Sequence, residues 1–362
     1  MFGLGRDKIT KWLSIVLIGA ILGTVLLVAF AGSGCAPTPT PVATPTKPAA
    51  PPAPLKLTVA SHVPPSYEDI FIPMKTWVDD INTMGKGKVK IDFYHSGTLL
   101  KVKELIPGLE RGTADIIFLT TSHCTGAWPI IGGISLPFIW KSAMDAHLKL
   151  KMESPLYNYI NEIMVKKYGV LWLANGMLPL EYIWTAKKPI KTPADMKGMK
   201  LRVGGEVEAK AVKALGGSPV FMPSAELYEA LHRGTIDGVI CYPGTIAGRK
   251  LEEVIKYAIK VPVGAYGYSL WVKKDTWDKL PEDVQRIIWV ASAKYDYLNL
   301  DYALKVHKEK SWPRFKEAGM EIIEVSPEVI AKYREICKPI WDEWAKSVGP
   351  EVGEGFIELA RE

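Results

Sequence analysis

The chain of 362 residues has only four cysteines, Cys35, Cys124, Cys241 and Cys337, and no C-x-x-C pair. That spacing excludes the common zinc and dithiol motifs. The expectation for Cys124, Cys241 and Cys337 is small buried apolar side chains. The six histidines are dispersed without metal-ligand spacing, so no metal is expected. H-E-x-x-H, G-x-S-x-G, a Walker phosphate loop and the dinucleotide G-x-G-x-x-G are all missing. Gly204-Gly205 lacks the Lys-Ser/Thr that would hold phosphate and magnesium. No cofactor and no enzymatic activity are therefore expected. Charge is also thin: Lys and Arg exceed Asp and Glu by 6, with no dense basic stripe, which argues against a nucleic-acid partner.

What is present begins with a signal. A short, mostly basic head, Arg6 to Lys11, precedes a run from Trp12 to Ala31 without a charged residue. Such a pair reads as an export segment. Three fates compete: cleavage after Ala29-Phe30-Ala31, lipidation of Cys35 in Gly32-Ser33-Gly34-Cys35, or retention as an uncleaved anchor. All three put the remainder outside the cytoplasm, and the lipoprotein is the preferred version. Ala36 to Pro54 is almost entirely Pro, Ala and Thr, a composition that forms a semi-rigid tether.

From Leu55 the composition supports packed cores, with 48% hydrophobic residues, 12 Trp and 15 Tyr over the chain. Two stretches echo each other. Lys56–Ala60, Lys88–Phe93 and Glu104–Phe118 are matched by Lys200–Gly204, Pro219–Met222 and Glu226–Ile240. Both end in a helical pattern, Arg-Gly-Thr-x-Asp and an apolar strand; Gly112 and Gly234 fall where a helix takes a left-handed terminal residue. Amphipathic helices over Ile70–Met84 and Val207–Leu215 lie between the first two strands of each half. Each half thus reads β-α-β-α-β. The predicted fold is α/β and two-lobed, each lobe a mixed, mostly parallel sheet with flanking helices and a cleft between lobes.

Pro281-Glu282-Asp283 opens a long helical pattern with no breaker before Pro313, read as a helix crossing both lobes. A second amphipathic helix is expected over Pro327–Lys346. The predicted organisation is residues 1–34 signal, 35–54 tether, 55–178 first lobe with about 262–280 returning to it, 179–261 second lobe with about 300–362, and 281–312 the lobe-spanning helix.

Inside the strand Met199–Val203 sits one charge, Arg202. Buried arginines are rare without an anion, so the partner is either a protein acid or a ligand. The run Ala194-Asp-Met-Lys-Gly-Met-Lys-Leu-Arg-Val203, with Pro223-Ser-Ala-Glu-Leu-Tyr-Glu-Ala-Leu and Gly234-Thr-Ile-Asp-Gly238, resembles the DctP-type solute-binding proteins of TRAP transporters. Val89-Lys-Ile-Asp-Phe-Tyr, Gly97-Thr-Leu and Leu136-Pro-Phe agree, and the resemblance runs from Leu55 to about Gly319. It implies an extracytoplasmic receptor that captures a small organic acid. Delivery would be to the small and large membrane subunits of an ion-driven permease, with the receptor held at the membrane by its N-terminal lipid or anchor. A binding protein of an ABC importer or a sensor is the alternative, with an extracytoplasmic enzyme a weaker one.

The resemblance assigns Arg202 as the clamp on the ligand carboxylate. A guanidinium suits this role by making two parallel hydrogen bonds. Two departures stand out. Tyr182 occupies the position where many members have a second arginine, and Tyr242 stands where many have Asn before proline. Both suggest a monocarboxylate with an apolar or aromatic body. By position at strand ends, His62 and Tyr67 after the first strand and Ser122 and His123 after the third are further ligand-binding candidates, with Trp184 as a cleft wall.

Overall fold

The computed structural model describes residues 53–362. The export segment, Cys35 and nearly all of the tether lie outside the described residues. Among the described residues no helix is long and apolar enough to cross a membrane.

Among the described residues eleven strands form two sheets: β1 Leu55–Ser61, β2 Val89–Tyr94, β3 Ile116–Thr120, β4 Val170–Ala174, β5 Glu181–Thr185, β6 Lys200–Val203, β7 Ser218–Phe221, β8 Gly238–Cys241, β9 Tyr257–Gly264, β10 Tyr268–Lys273 and β11 Glu321–Ile323. The first sheet has the order β2-β1-β3-β10-β4 and the second β11-β9-β5-β8-β6-β7. In each, a parallel trio keeps its first strand in the middle, β2-β1-β3 and β7-β6-β8. An antiparallel strand then lies beside the third, β10 on β3 and β5 on β8.

The Arg-Gly-Thr-x-Asp repeat does the same work twice. Gly112 and Gly234 take φ of 75° and 69° after their helices, a conformation with little cost only for glycine. The aspartate that follows turns back onto the lobe's first strand. Asp115 Oδ2 accepts from Thr58 N at 2.7 Å, and Asp237 Oδ2 accepts from Lys200 N at 2.8 Å. Pro107 lies in the first turn of the helix Leu105–Arg111, where its missing N–H breaks no helical bond.

A helix of 25 residues, Glu282–Val306, runs about 37 Å. It is held to the first sheet by Asp296, which accepts backbone N–H bonds from Met152, Asn175 and Gly176, and by Trp77 Nε1 donating to Ser292 Oγ at 3.0 Å. A π turn, His307–Ser311, then carries the chain into Trp312–Glu317 under the second sheet. Pro313 therefore does not stop the helical path, because the wider turn before it absorbs the clash a proline makes with the preceding carbonyl.

The expected helix Pro327–Lys346 is divided. Pro327–Cys337, Pro339–Val348 and Pro350–Arg361 are separate helices, each opening on a proline that suits a first turn but not a helix interior. They close over the segment Pro129–Ser135, with Trp344 Nε1 donating to Pro129 O at 2.9 Å. Trp344 and Phe356 belong to a continuous core that also holds Leu201 and Val203.

Candidate functional site

The carboxyl ends of β1, β3, β6 and β8 converge between the two sheets, the place where open parallel sheets bind ligands. They bring His62, Tyr67, Ser122, His123, Arg202, Tyr242 and Thr245 around one small cavity. Antiparallel strands arrive from the other direction, so their amino ends share this edge. β5 contributes its first residue, Glu181, and β10 its first, Tyr268, with Tyr266 just before it.

Arg202 is 4% exposed. Leu201 and Val203 face the core while Arg202 points the other way, as strand alternation requires. Its Nε donates to the Met222 carbonyl at 2.9 Å, whereas Nη2 has no hydrogen-bond partner. A backbone carbonyl, not an acid, thus answers one edge of the guanidinium. Arg202 lines the cavity, and a buried N–H left unmatched this way is costly without an incoming acceptor.

Two histidines form the opposite wall, their rings 5.8 Å apart. Burial pushes His62 down to about 3, helped by the charges of Arg249 and Arg202. His123 is held well below its usual range by burial, His62 and Arg202. Both are neutral near pH 7, so each offers one donor and one acceptor. His62 Nδ1 lies 3.3 Å from Tyr268 Oη, while His123 Nδ1 meets Thr120 and leaves Nε2 without a partner. Tyr242 is 1% exposed with its ring edge-on to Tyr266, and burial keeps both phenols un-ionised.

Tyr182 and Trp184 lie elsewhere, a correction to their expected places in the cleft. Glu181, the first residue of β5, reaches the cleft at the strand's end, while Tyr182 and Trp184 further along pack toward Trp312. Trp184 stacks on Trp312 at 5.6 Å and donates from Nε1 to Cys241 O at 2.8 Å. Tyr182 packs on Trp312 beside Lys260 and Glu324. Cys124, Cys241 and Cys337 are free and buried, as small apolar cysteines are.

Glu181, Glu208, Tyr266 and Tyr268 join the site without a sequence signal of their own: none lies at the carboxyl end of a parallel strand or at a position the family resemblance marks. Burial and the neighbouring Glu208 push the Glu181 carboxyl well up, against the pull of Arg202. Glu208, on the helix Glu206–Ala214, is likewise raised by burial.

The inner cavity measures only about 30 Å³, the room of a water molecule or so. Through His62 and Ser224 it adjoins an outer cleft of about 500 Å³, lined by Lys101, Lys103 and Arg249 among others. Arg202 is therefore closed off from solvent in this conformation.

Residues 60–347 match the family of bacterial extracellular solute-binding proteins, family 7. The C4-dicarboxylate-binding periplasmic protein DctP of Rhodobacter capsulatus is 28% identical over 317 residues, covering 82% of this chain and 92% of that protein. The extracytoplasmic solute receptor DctP7 of Bordetella pertussis, solved binding pyroglutamic acid, superposes with a TM-score of 0.76 at 20% identity, over 85% of this chain and 99% of its own. A TRAP periplasmic solute-binding protein of Shewanella oneidensis with bound succinate gives a TM-score of 0.76 at 19% identity, over 86% of this chain and 100% of its own. Two sheets closing on a buried arginine, and a family match spanning both, have one meaning: this chain belongs to the DctP family of TRAP transporter solute-binding proteins.

Proposed function

We propose that the protein captures a small monocarboxylate with an apolar or aromatic body between its lobes and presents it to the small and large membrane subunits of a TRAP permease. The observation that carries this reading is the unmatched Nη2 of Arg202 at the cavity wall. A carboxylate supplies the acceptor that this nitrogen lacks, in a site dry enough to make the bond strong.

A single carboxylate fits better than two. The position expected to hold a second arginine is Tyr182, which faces away, and the residue that enters the cleft beside it is an acid. Glu181 brings no positive charge that could answer a second carboxylate as an arginine would. Ile70, Tyr242, Tyr266 and Tyr268 give the cavity an apolar and aromatic lining for the ligand body. On the same reading residues 1–34 direct export and Cys35 carries the lipid, which metabolic labelling with palmitate, lost on Cys35→Ala, would detect.

Isothermal titration with benzoate, 4-methyl-2-oxopentanoate and succinate tests the ligand class. The two monocarboxylates bind more tightly than succinate, and Arg202→Ala weakens them by roughly 100-fold or more. Tighter binding of succinate, or binding indifferent to Arg202→Ala, overturns the reading.

A further inference from the structure

The receptor role of Arg202 leaves one feature of the cleft unused. Glu181 is 3% exposed and Glu208 2%, and both lie close enough to Arg202 to feel its charge. Glu181 Oε2 and both oxygens of Glu208 lack a well-formed hydrogen bond, although the Gly205 backbone and the Ser135 hydroxyl lie near enough to Glu208 to moderate its environment. Two acids thus share one guanidinium in a sealed space.

Among the described residues, the groups that line the cavity with this pair supply no second cation beside it. Arg202 comes from β6, Cys241 from β8 and Tyr266 from the turn after β9; His62 and His123 face the cavity from the opposite wall. Burial keeps the Cys241 thiol, the phenols of Tyr242, Tyr266 and Tyr268 and both imidazoles neutral. Tyr67 also lines the cavity, with its hydroxyl accepting from Arg249, which lies at the outer cleft. Asp69, beyond Tyr242, is answered by His307 at 3.0 Å. Among the described residues Arg202 is therefore the one cation close enough to balance the pair.

A charge count follows. One guanidinium can balance one ionised carboxylate in the empty cleft, and burial favours a proton on the other acid. When a ligand carboxylate lands on Arg202 it takes over that balance. The remaining ionised glutamate would then be an uncompensated buried charge, which a dry site tolerates only by neutralising it.

We propose that Glu181 and Glu208 take up one proton from solvent for each carboxylate that binds Arg202, so the receptor captures its ligand in effect as the acid. With both acids neutral, Glu181 presents an O–H to the cavity and donates it to an oxygen of the bound ligand. Glu181 is then a ligand-contacting residue and Glu208 a positioning residue that shares its proton. This inference rests on the receptor reading and adds to it a proton and a donor.

The test measures proton uptake directly. Titration of benzoate and 4-methyl-2-oxopentanoate into the full chain, in buffers of different ionisation enthalpy, gives the number of protons taken up on binding. The expected value is about one, with affinity falling about tenfold per pH unit as pH rises through the range of the pair. Glu181→Gln together with Glu208→Gln keeps shape and hydrogen-bonding capacity while removing both titrations. This double variant binds with no proton uptake and a flat pH profile, and more tightly than the parent above pH 7.

Arg202-dependent binding with no proton uptake by the parent overturns this inference and leaves the receptor reading standing. So does a slope that survives in the double variant. Tighter binding of alanine or phenylalanine than of their deaminated acids, lost in the double variant, overturns it as well, since Glu181 would then be an ionised partner for an ammonium group. If neither acid binds at any pH, both readings fall. The parent measurement needs no variant, so a folding defect in the double variant cannot shelter the idea.

Discussion

Arg249 and Tyr67 join the two lobes: Arg249 Nε donates to Tyr67 Oη at 3.1 Å, and the guanidinium lies 5.2 Å from the centre of the same ring. Arg249 follows the helix that leaves β8, and Tyr67 ends the loop that leaves β1, so the contact crosses the mouth of the cleft. Tyr67→Phe removes the hydrogen bond and keeps the ring. A bond to a charged donor contributes about 1.5–3 kcal/mol, part of it offset by solvent at this partly exposed arginine. Carboxylate affinity should fall by roughly 5- to 10-fold, mostly through faster release. Stopped-flow release rates equal to those of the parent would show that the contact plays no part in closure.

His62 predicts a pH effect on stability. It is held at about 3 in the folded protein against an ordinary value of 6.5. Between those values the unfolded chain binds the proton and the folded chain does not, so its contribution is present above 6.5 and is lost as pH falls toward 3. Glu181 and Glu208 act in the opposite sense. Their raised values contribute stability at low pH that is lost as pH rises through them. Comparing His62→Gln with the parent isolates the histidine. Urea denaturation should show the variant gaining on the parent as pH drops from about 6.5 to about 4. Parallel profiles would contradict the assignment of a neutral buried imidazole.

Asp115 and Asp237 should be interchangeable in their energetics. Each accepts a backbone N–H from the first strand of its own lobe, at 2.7 and 2.8 Å. Asp115→Ala and Asp237→Ala are each expected to cost about 1–2 kcal/mol in chemical denaturation, because an N–H loses its acceptor. A neutral outcome at either site would mean that solvent already serves that N–H.

Gly133 has no room for a side chain. A Cβ there would sit 2.6 Å from Phe356 and 2.7 Å from Trp344, two rings packed edge to face at 5.1 Å. Gly133→Ala should destabilise by about 1–3 kcal/mol, the usual cost of overpacking. The same variant with Phe356→Leu should recover part of that loss in thermal denaturation. Additive losses in the double variant would show that the helix Pro350–Arg361 does not bear on Gly133.

The repeated Arg-Gly-Thr-x-Asp made the lobe architecture legible, because it marks the same helix end and strand start twice. Helix faces, the left-handed glycines and Arg202 followed from local rules of period and burial. Where reading the sequence went astray, a local rule met a longer-range one. Pro313 looks like a stop, yet a π turn stands before it. The pattern Pro327–Lys346 looks continuous, yet Pro339 divides it.

The candidate site divides along the same line. Chain order places His62, Tyr67, Ser122 and His123 at the carboxyl ends of parallel strands, the family resemblance adds Arg202 and Tyr242, and the structure brings all six together. Glu181, Tyr266 and Tyr268 enter the cleft only because β5 and β10 run antiparallel to their neighbours, which puts amino ends on that edge. Strand direction depends on pairing with residues far away in the chain, so no local pattern carries it. Strand pattern and the family resemblance were enough to put one buried arginine at a cleft between two α/β lobes. That Glu181 rather than Tyr182 stands beside it came from strand pairing far along the chain: β5 runs antiparallel to β8, which sets its first residue at the cleft edge.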